Sequence, residues 1–449
     1  MINGAVASPS PVERFLNLFT EVRRGEAGAA LLLALNIFLI LTAYYMLKPV
    51  REALILSGAG GAEIKSYAAA GQALLLLGAV PLYAKLASRY ARRALINRVT
   101  WFFAGCLALF YALAQSGAPI AIVFYLWVGI FNLMVPAQFW AFANDLYTPE
   151  AGKRLFVIVA FGASAGAVFG SYITGLLIEP LGLYQLLIVS GGVLLLSLML
   201  TNLIETRSSA VTPGPTSSRP AEEPIGKSGA FQLVVKSRYL FLIALLMLLL
   251  NWVNTTGEYI LGRTVKAAAT AALAADPTIA PDEASYIGAF YADFFTIVNI
   301  AGLLLQLFIV SRVLKYLGVR VAIFVLPIIA LGGYLVAAFY PVLAIVRWVK
   351  TAENATDYSL QNTVRQVLFL PTTREQKYKA KQAIDTFFVR SGDVLSAVLV
   401  FVGTTLLTLS TQQFAMINIA LVCLWLVLAY LVGAEHRRLM TSERQATRE

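Results

Sequence analysis

Residues 31–47 read LLLALNIFLILTAYYML, and this uninterrupted apolar run decides the fold class. A transmembrane α-helix needs roughly 20 predominantly apolar residues, whereas a strand of a membrane barrel alternates apolar and polar residues. Of the 449 residues, 59% are hydrophobic and only 13% are charged. A soluble domain has about 25% charged residues. The sequence therefore predicts an all-α membrane protein and excludes a soluble globular chain, a collagen-like chain and a disulfide scaffold.

Twelve runs near the spanning length follow one another, and we number them spans one to twelve. They lie at 27–48, 66–88, 94–115, 118–141, 155–178, 182–204, 239–261, 288–310, 316–340, 341–369, 380–409 and 412–434. The tenth differs from the others because it follows Tyr340-Pro341 directly and carries many polar residues. We predict five segments: an interfacial N-terminal segment (1–26), a six-helix half (27–204), a linker (205–238), a second six-helix half (239–434) and a tail (435–449).

The two predicted halves resemble each other. Lys85 and Arg93, after span two, match Arg312 and Arg320, after span eight, at one constant offset. The loop TPEAGKR after span four parallels TREQKYK after span ten. This pattern favours a parallel internal repeat, as in major-facilitator transporters.

The distribution of Lys and Arg predicts the orientation in the membrane. Only four of the 35 bases fall in the predicted exterior loops, namely Arg51, Lys65, Arg263 and Lys266, while most others fall in the termini, the linker and alternate loops. Cytoplasmic loops collect such bases, so we expect both termini and the linker to be cytoplasmic, in a bacterial inner membrane. The first 26 residues lack a long apolar core, which indicates an interfacial helix rather than a cleavable signal peptide.

Motifs of soluble enzymes are absent from the sequence. There is no Walker loop, no HExxH and no cysteine pairing suited to zinc, so we expect no enzyme activity, no cofactor and no metal. His436 follows the last span and is expected to be an ordinary solvated residue. Gly162, Gly166 and Gly170 are spaced by four, which favours close helix packing over a nucleotide loop because no strand precedes them.

The most informative residues are charges at membrane depth, since each needs a partner or a water-filled cavity. In span ten, polar residues recur every three or four positions and share one helical face: Arg347, Lys350, Asn354, Asp357, Gln361 and Arg365. Such a stripe cannot face lipid. It either lines an aqueous cavity, which we favour, or pairs with another helix.

Acids and bases are balanced at membrane depth, and this balance keeps mutual ion pairs or gates open as an alternative to an anion site. The bases are Lys48, Arg51, Arg263, Arg347, Lys350, Arg365 and Arg390; the acids are Glu52, Glu258, Asp293, Glu353, Asp357, Asp385 and Asp393. Among the acids, Asp293 and Glu353 are expected to be structural. Aromatic residues could stack on a planar base, although they also anchor helices at membrane interfaces: Tyr44, Tyr45, Trp140, Phe142 and Tyr358.

Several ordered motifs resemble the nucleotide-transporter family of ATP/ADP translocases. They are LKPVREALILSGAGGAEI (47–64), YAKLASR (83–89), FWAFANDLYTPEAGKRLF (139–156) with the following GASAGAVFGS, YSLQNTVRQVLFLP (358–371), REQKYKAKQAID (374–385) and RSGD (390–393). The resemblance covers most of the membrane domain and is densest in spans four, five, ten and eleven. It implies a major-facilitator-like bundle that exchanges nucleotides by alternating access.

The resemblance also implies roles for single residues. Arg51 falls where exchangers have a lysine, Arg365 occupies a basic position, and Glu258 matches an acidic position in span seven. Two departures matter: the usual acidic position in span four is apolar, near Val128, and the glycine-lysine-serine-glycine pattern of span eleven reads Val-Arg-Ser-Gly (389–392), followed by an acid. The departures leave exchange of ATP for ADP open as the specific activity.

We therefore predict a secondary transporter of a nucleotide or a related phosphorylated or anionic metabolite. Arg51, Arg365 and Arg390 would hold the anionic group, because guanidinium binds phosphate in a bidentate manner. The predicted substrate site is completed by Tyr358, Gln361, Asn354, Lys48 and Trp140, and the predicted gating or coupling carboxylates are Glu258, Asp393 and Asp385. Partners are the anionic substrate and the lipid bilayer, not nucleic acid; the oligomeric state stays open. The alternatives are proton-coupled transport of another solute and a membrane sensor or assembly platform that does not transport.

Overall fold

The computed structural model describes residues 11–17, 20–23, 25–211, 229–373 and 375–446. Its regular structure is helical, and no β-strand occurs in these ranges. Eleven of the described helices are long and apolar enough to cross a membrane. These helices confirm the all-α membrane fold. The tenth span is not among the eleven because charged residues interrupt its apolar sequence.

The spans of the first half are single helices, whereas several spans of the second half contain π-helical turns. Spans one to six are Glu26–Ser57, Gly61–Arg89, Arg92–Gln115, Ala121–Leu146, Pro149–Leu181 and Gln185–Val211. Spans seven, nine and twelve are Arg238–Ala275, Gly318–Phe339 and Thr411–Ala446. Span eight is Glu283–Leu305, the π-helical turn Gln306–Val310 and Ser311–Tyr316. Short helices, Pro11–Leu16 and Ala230–Lys236, precede spans one and seven.

Spans ten and eleven are the most irregular. Span ten is Leu343–Thr356, the π-helical turn Asp357–Gln361 and Asn362–Leu368. Span eleven is Gln376–Ala380, Lys381–Ala383, Ile384–Phe388, Val389–Phe401 and Val402–Leu406, of which the first, third and fifth pieces are π-helical. Wide turns of this kind are rare and occur frequently at functional sites. They draw attention to these two spans.

Spans one and seven extend further than the apolar runs predicted. Span one continues to Ser57 and span seven to Ala275, so Arg51, Glu52 and Arg263, which follow the predicted ends of these spans, lie inside the helices. Protein partners explain the difference, because a charge that is paired within the protein need not end a transmembrane helix. Glu52 pairs with Lys65 at 2.7 Å, and Arg263 donates to the carbonyl oxygen of Leu409 at 3.0 Å.

The chain divides into two compact units. The first unit contains the described residues up to Arg51 and those from Gly78 to 211, and the second contains Glu52–Leu77 and the described residues from 229 onward. The last residues of span one and the first part of span two therefore belong to the second unit. The predicted halves at 27–204 and 239–434 stay a prediction, and residues 212–228 of the predicted linker lie outside the described residues.

In the first unit, spans one and five approach each other along three glycines. A Cβ atom on Gly162, Gly166 or Gly170 would lie 2.4, 2.3 or 2.5 Å from the backbone oxygen of Ala34, Phe38 or Thr42, respectively. Such distances are impossible for real Cβ atoms, so only glycine permits this contact. Small residues spaced by four commonly allow transmembrane helices to pack this closely. The predicted packing role of the three glycines is confirmed.

The N-terminal segment packs within the first unit against spans one and five. Its helix Pro11–Leu16 buries Leu16 in an apolar cluster with Leu155 of span five. Arg154 makes a bidentate pair with Glu26, with distances of 3.0 and 2.9 Å, and also donates to the backbone oxygen of Glu21. These contacts tie the segment to the starts of spans one and five. Whether it lies at the membrane interface stays a prediction.

In the second unit, spans seven, eleven and twelve pack together. Gly392 permits the close contact of span eleven with span seven, since a Cβ there would lie 2.7 Å from the backbone nitrogen of Trp252. At the start of span seven, the Tyr239 hydroxyl donates to the Leu368 oxygen at 2.7 Å and lies 2.9 Å from His436 Nδ1. His436 is therefore half-buried against Tyr239, and the expectation of a solvated histidine is wrong. The chain folds its last helix back on span seven here, which the sequence around His436 does not indicate.

Candidate functional site

The polar stripe of span ten has two different environments, divided at the π-helical turn Asp357–Gln361. Before the turn, the stripe residues pair with other side chains: Arg347 with Asp293, and Lys350 and Asn354 with residues of span seven. From the turn onward, the stripe lines a cavity. Both interpretations of the stripe thus describe a part of it.

A cavity of ≈ 240 Å³ opens beside the turn in the second unit. It is lined by Leu250 of span seven and by five residues of span ten: Asp357, Tyr358, Gln361, Asn362 and Arg365. The lining combines an aromatic ring, a carboxylate, two amides and a guanidinium group. A guanidinium group binds phosphate or carboxylate in a bidentate manner, and an aromatic ring stacks on planar groups. Three of the predicted substrate residues, Tyr358, Gln361 and Arg365, are therefore brought together.

Arg365 shares the carboxylate of Asp385 with Lys381. Lys381 Nζ donates to Asp385 Oδ2 at 2.7 Å, whereas Arg365 Nε lies 3.9 Å from Asp385 Oδ1. The first distance is that of a hydrogen bond and the second is not. Asp385, expected to be a gating or coupling carboxylate, lies beside Arg365, the basic residue of the cavity.

Arg390 and Asp393 form an ion pair at 3.2 Å within span eleven. Asp393 is held further by span seven, because its Oδ1 accepts from Asn251 Nδ2 at 2.8 Å and from Thr255 Oγ1 at 2.7 Å. The side chain of Asp393 is 9% exposed and that of Arg390 is 37% exposed. The acid is therefore anchored in the protein, and the base is the more accessible partner.

Five charged side chains form a buried charge network in the second unit: Glu52, Lys65, Glu258, Lys350 and Glu353. Lys65 Nζ lies 2.7 Å from Glu52 and 3.6 Å from Glu258. Lys350 Nζ lies 3.1 Å from Glu353 and 3.6 Å from Glu258. Glu258 thus lies between two lysines, each of which has a closer carboxylate. At 22% exposure of its side chain, Glu258 is also the most exposed member.

Neutral side chains complete this network. Lys350 Nζ donates to Asn254 Oδ1 at 2.8 Å, Asn354 Nδ2 donates to Glu258 Oε1 at 3.1 Å, and the Tyr334 hydroxyl donates to Glu353 Oε2 at 2.9 Å. Hydrogen bonds and opposite charges together compensate burial of these ions. Asn354, expected in the substrate site, belongs to this network. Glu353, expected to be structural, is deeply buried in it.

The remaining predicted substrate residues lie in the first unit. The Arg51 guanidinium lies over the ring of Tyr125, 4.6 Å from its centroid, and Lys48 Nζ lies 5.2 Å from the centroid of Tyr45. Trp140 packs edge-on against two phenylalanines, with ring centroids 5.6 Å apart in both pairs. Cation–π contacts of this kind hold a basic side chain in place.

Sequence reasoning missed several members of these sites. Lys381 was not predicted as a site residue, and Lys65 was counted only as an exterior loop base. Asn254 and Tyr334 were not singled out, because a single neutral polar residue in an apolar helix gives no signal of its own. For Lys381, the spacing of four from Asp385 was an available signal, since such pairs meet on one helical face.

The described ranges contain no group of three or more His, Cys, Asp or Glu side chains that could hold a metal ion. Ion pairs or hydrogen bonds hold the carboxylates of Asp385, Asp393, Glu258 and Glu353. The site therefore offers binding groups for an anion and a planar polar molecule.

Comparison with known sequences identifies relatives along the full chain. Residues 7–115 match the model of the TLC ATP/ADP transporter family. ADP,ATP carrier protein 1 of Chlamydia pneumoniae is 24% identical over 93% of this chain and 93% of its own length. ADP,ATP carrier protein 5 of Rickettsia felis is 21% identical over 97% of this chain and 99% of its own length.

Comparison with solved structures identifies the fold. A mutant of the nucleoside transporter NupG superposes with a TM-score of 0.64 and 14% identity, covering 90% of this chain and 99% of that chain. A bacterial homologue of the human lysosomal transporter Spinster, inward-facing and unoccupied, gives a TM-score of 0.62 and 13% identity, covering 93% and 99%. These likenesses confirm the major-facilitator-like fold of an integral membrane protein.

Proposed function

We propose that this chain, which is similar to ADP,ATP carriers over most of its length, moves a nucleotide across the membrane by alternating access. These relatives match nearly the whole chain over nearly their own whole length. We propose exchange of one nucleotide for another as the mode of transport. The protein then performs no chemistry on its substrate.

The cavity of span ten is the observation that carries this proposal. Arg365 would bind phosphate oxygens, and Tyr358 would stack on the nucleobase. Gln361 and Asn362 would form hydrogen bonds with the polar edge of the nucleobase. The Asp357 carboxylate would accept hydrogen bonds from ribose hydroxyls, a group that a simple anion lacks. At ≈ 240 Å³ the cavity is smaller than ligand pockets, which are typically about 300–1,000 Å³. It would therefore hold part of the nucleotide.

Residues outside the cavity take the remaining roles in this proposal. We also propose substrate binding by Arg51, Lys48 and Trp140, and Arg390 would bind a phosphate in one state of the cycle. Glu258, held loosely between two lysines, would act as a gate whose partners change during transport. The proposed location is a bacterial inner membrane with both termini cytoplasmic, as the loop bases predict.

Exchange by purified protein tests this function. Proteoliposomes loaded with ADP should take up labelled ATP, and empty proteoliposomes should not. Arg365→Ala should raise the KM for ATP about tenfold or more, since a charge-assisted bidentate contact is lost. The KM of Arg365→Lys should fall between those of the wild-type protein and Arg365→Ala. Arg312→Ala, on the exposed face of span eight, serves as the control.

Three other outcomes contradict the proposal. Uptake of ATP into empty vesicles, driven by a pH gradient, favours proton-coupled transport. Uptake of another solute, without nucleotide exchange, assigns a different substrate. Nucleotide-induced stabilisation of the folded protein without any flux favours a membrane sensor.

A further inference from the structure

Lys381 lies at the start of span eleven and does not line the cavity, yet it pairs with Asp385, a carboxylate beside Arg365. Its Nζ donates to Asp385 Oδ2 at 2.7 Å, and its ammonium group lies 5.7 Å from the ring centroid of the buried Phe369. Lys381 and Asp385 are four residues apart, on one helical face. The lysine is thereby fixed from two sides.

Asp385 divides its two oxygens unequally between two bases. Oδ2 is hydrogen-bonded to Lys381, whereas Oδ1 lies 3.9 Å from Arg365 Nε, beyond hydrogen-bond distance. Both Asp385 Oδ1 and Arg365 Nε are buried and have no hydrogen-bond partner within the described residues. A shift of about 1 Å would join them in a direct hydrogen bond. Arg365 is therefore attracted to Asp385 without being bonded to it.

The charges around Arg365 make this arrangement matter for an anionic ligand. Two carboxylates accompany Arg365: Asp357, which lines the same cavity, and Asp385. With Lys381 the set contains two acids and two bases and is neutral. Without Lys381 it carries an excess negative charge that repels phosphate, and Asp385 has no base other than Arg365 in this set.

We propose that Lys381 is a positioning residue of the anion site, which keeps Asp385 from bonding to Arg365 and so leaves the guanidinium group for a substrate phosphate. The proposal rests on the proposed nucleotide transport and names how its anion site is kept open. Lys381 does not touch the substrate. When a phosphate binds Arg365, Asp385 stays paired with Lys381.

Exchange of labelled ATP against internal ADP tests the role of Lys381 through the KM. Lys381→Met should raise the KM for ATP about tenfold with a smaller change in maximal rate, because Asp385 then competes for Arg365. Adding Asp385→Asn should return the KM close to that of the wild-type protein, because the competing charge is gone. Lys381→Arg should keep the wild-type KM. Lys379→Met, which removes the same charge beside Glu375 on the same span, is the matched control.

Each outcome decides the proposal. If the double variant Lys381→Met/Asp385→Asn is no better than Lys381→Met, Lys381 acts on the substrate directly or only on folding, and the positioning role is wrong. Thermal unfolding in detergent distinguishes a folding defect from a loss of substrate affinity. If Lys381→Met does not fold, Lys381→Gln, which keeps a polar side chain, replaces it. Absence of nucleotide exchange by the wild-type protein overturns the proposed function and this role together. Normal wild-type exchange with an unchanged KM in Lys381→Met overturns this role alone.

Discussion

At the residue scale, Asp393 and Arg390 differ in the number of partners that hold them. Asp393 accepts hydrogen bonds from Asn251 and Thr255 and pairs with Arg390. Arg390 has a side chain that is 37% exposed, so water can replace its partner. The two ends of this ion pair should therefore contribute unequally to stability.

We expect Asp393→Ala to destabilise the protein more than Arg390→Ala. Asp393→Ala removes the acceptor of the half-buried Thr255 hydroxyl and one of the two acceptors of Asn251 Nδ2, which also donates to the Val389 oxygen at 2.7 Å. A buried donor left unsatisfied costs about 1–3 kcal/mol. In Arg390→Ala the aspartate retains both neutral donors. Thermal unfolding of the purified variants measures the difference, and Asp393→Asn serves as the near-isosteric control. A larger loss in Arg390→Ala would mean that the ion pair, not the hydrogen bonds, anchors Asp393.

At the scale of elements, spans one and five depend on glycine at three positions of their contact. A methyl group on Gly166 would meet the backbone of Phe38 at 2.3 Å, and a backbone cannot move aside as a flexible side chain can. The helices must separate instead, which weakens the packing along both. Overpacking of a close contact typically costs about 1–3 kcal/mol.

Gly166→Ala should accordingly lower the thermal unfolding temperature. Gly192→Ala in span six is the control, since a Cβ there meets nothing within 4 Å and alanine favours a helix over glycine. Gly192→Ala should leave the unfolding temperature unchanged or raise it slightly. Equal effects of the two changes would show that the close contact does not limit stability.

The two environments of span ten predict an uneven pattern of accessibility. Cysteines at Asn362 and Arg365, which line the cavity, should react with small aqueous thiol reagents. Cysteines at Leu360 and Val364, which are buried by packing, and at Asn354, which is in the buried charge network, should react slowly. Labelling rates in membranes measure this pattern. Fast reaction at Asn354 would extend the aqueous cavity beyond the π-helical turn.

At the scale of the whole molecule, the charge distribution is strongly asymmetric. The formal net charge is +11, and few of the 35 bases fall in the predicted exterior loops. Since positively charged loops remain in the cytoplasm, the linker after span six should lie there.

Labelling of intact cells tests this topology. With Cys106 and Cys423 replaced by serine, a cysteine introduced at Ser217 in the linker should not react with an impermeant reagent added from outside. A cysteine at Thr278, between spans seven and eight, should react. The reverse pattern would invert the whole topology, because the two sites are separated by one span.

The sequence by itself determined the helical membrane fold, the course of the spans and the likeness to ADP,ATP carriers. These properties depend on local sequence alone, since about 20 apolar residues predict a membrane span wherever that span packs. The packing role of Gly162, Gly166 and Gly170 was also predictable, because a spacing of four places residues on one face of a single helix.

Only the tertiary structure decided which partner each charge faces. Hydropathy places Glu258 at membrane depth but does not predict that two lysines from different spans flank it. Likewise, the sequence marks Arg365 as a base, but its loose pairing with Asp385 depends on how spans ten and eleven are turned toward each other. The π-helical turn at Asp357–Gln361 has no distinct sequence signal. Ion pairs and cavities depend on distances between helices, and those distances are set by packing across the whole unit rather than by any single segment.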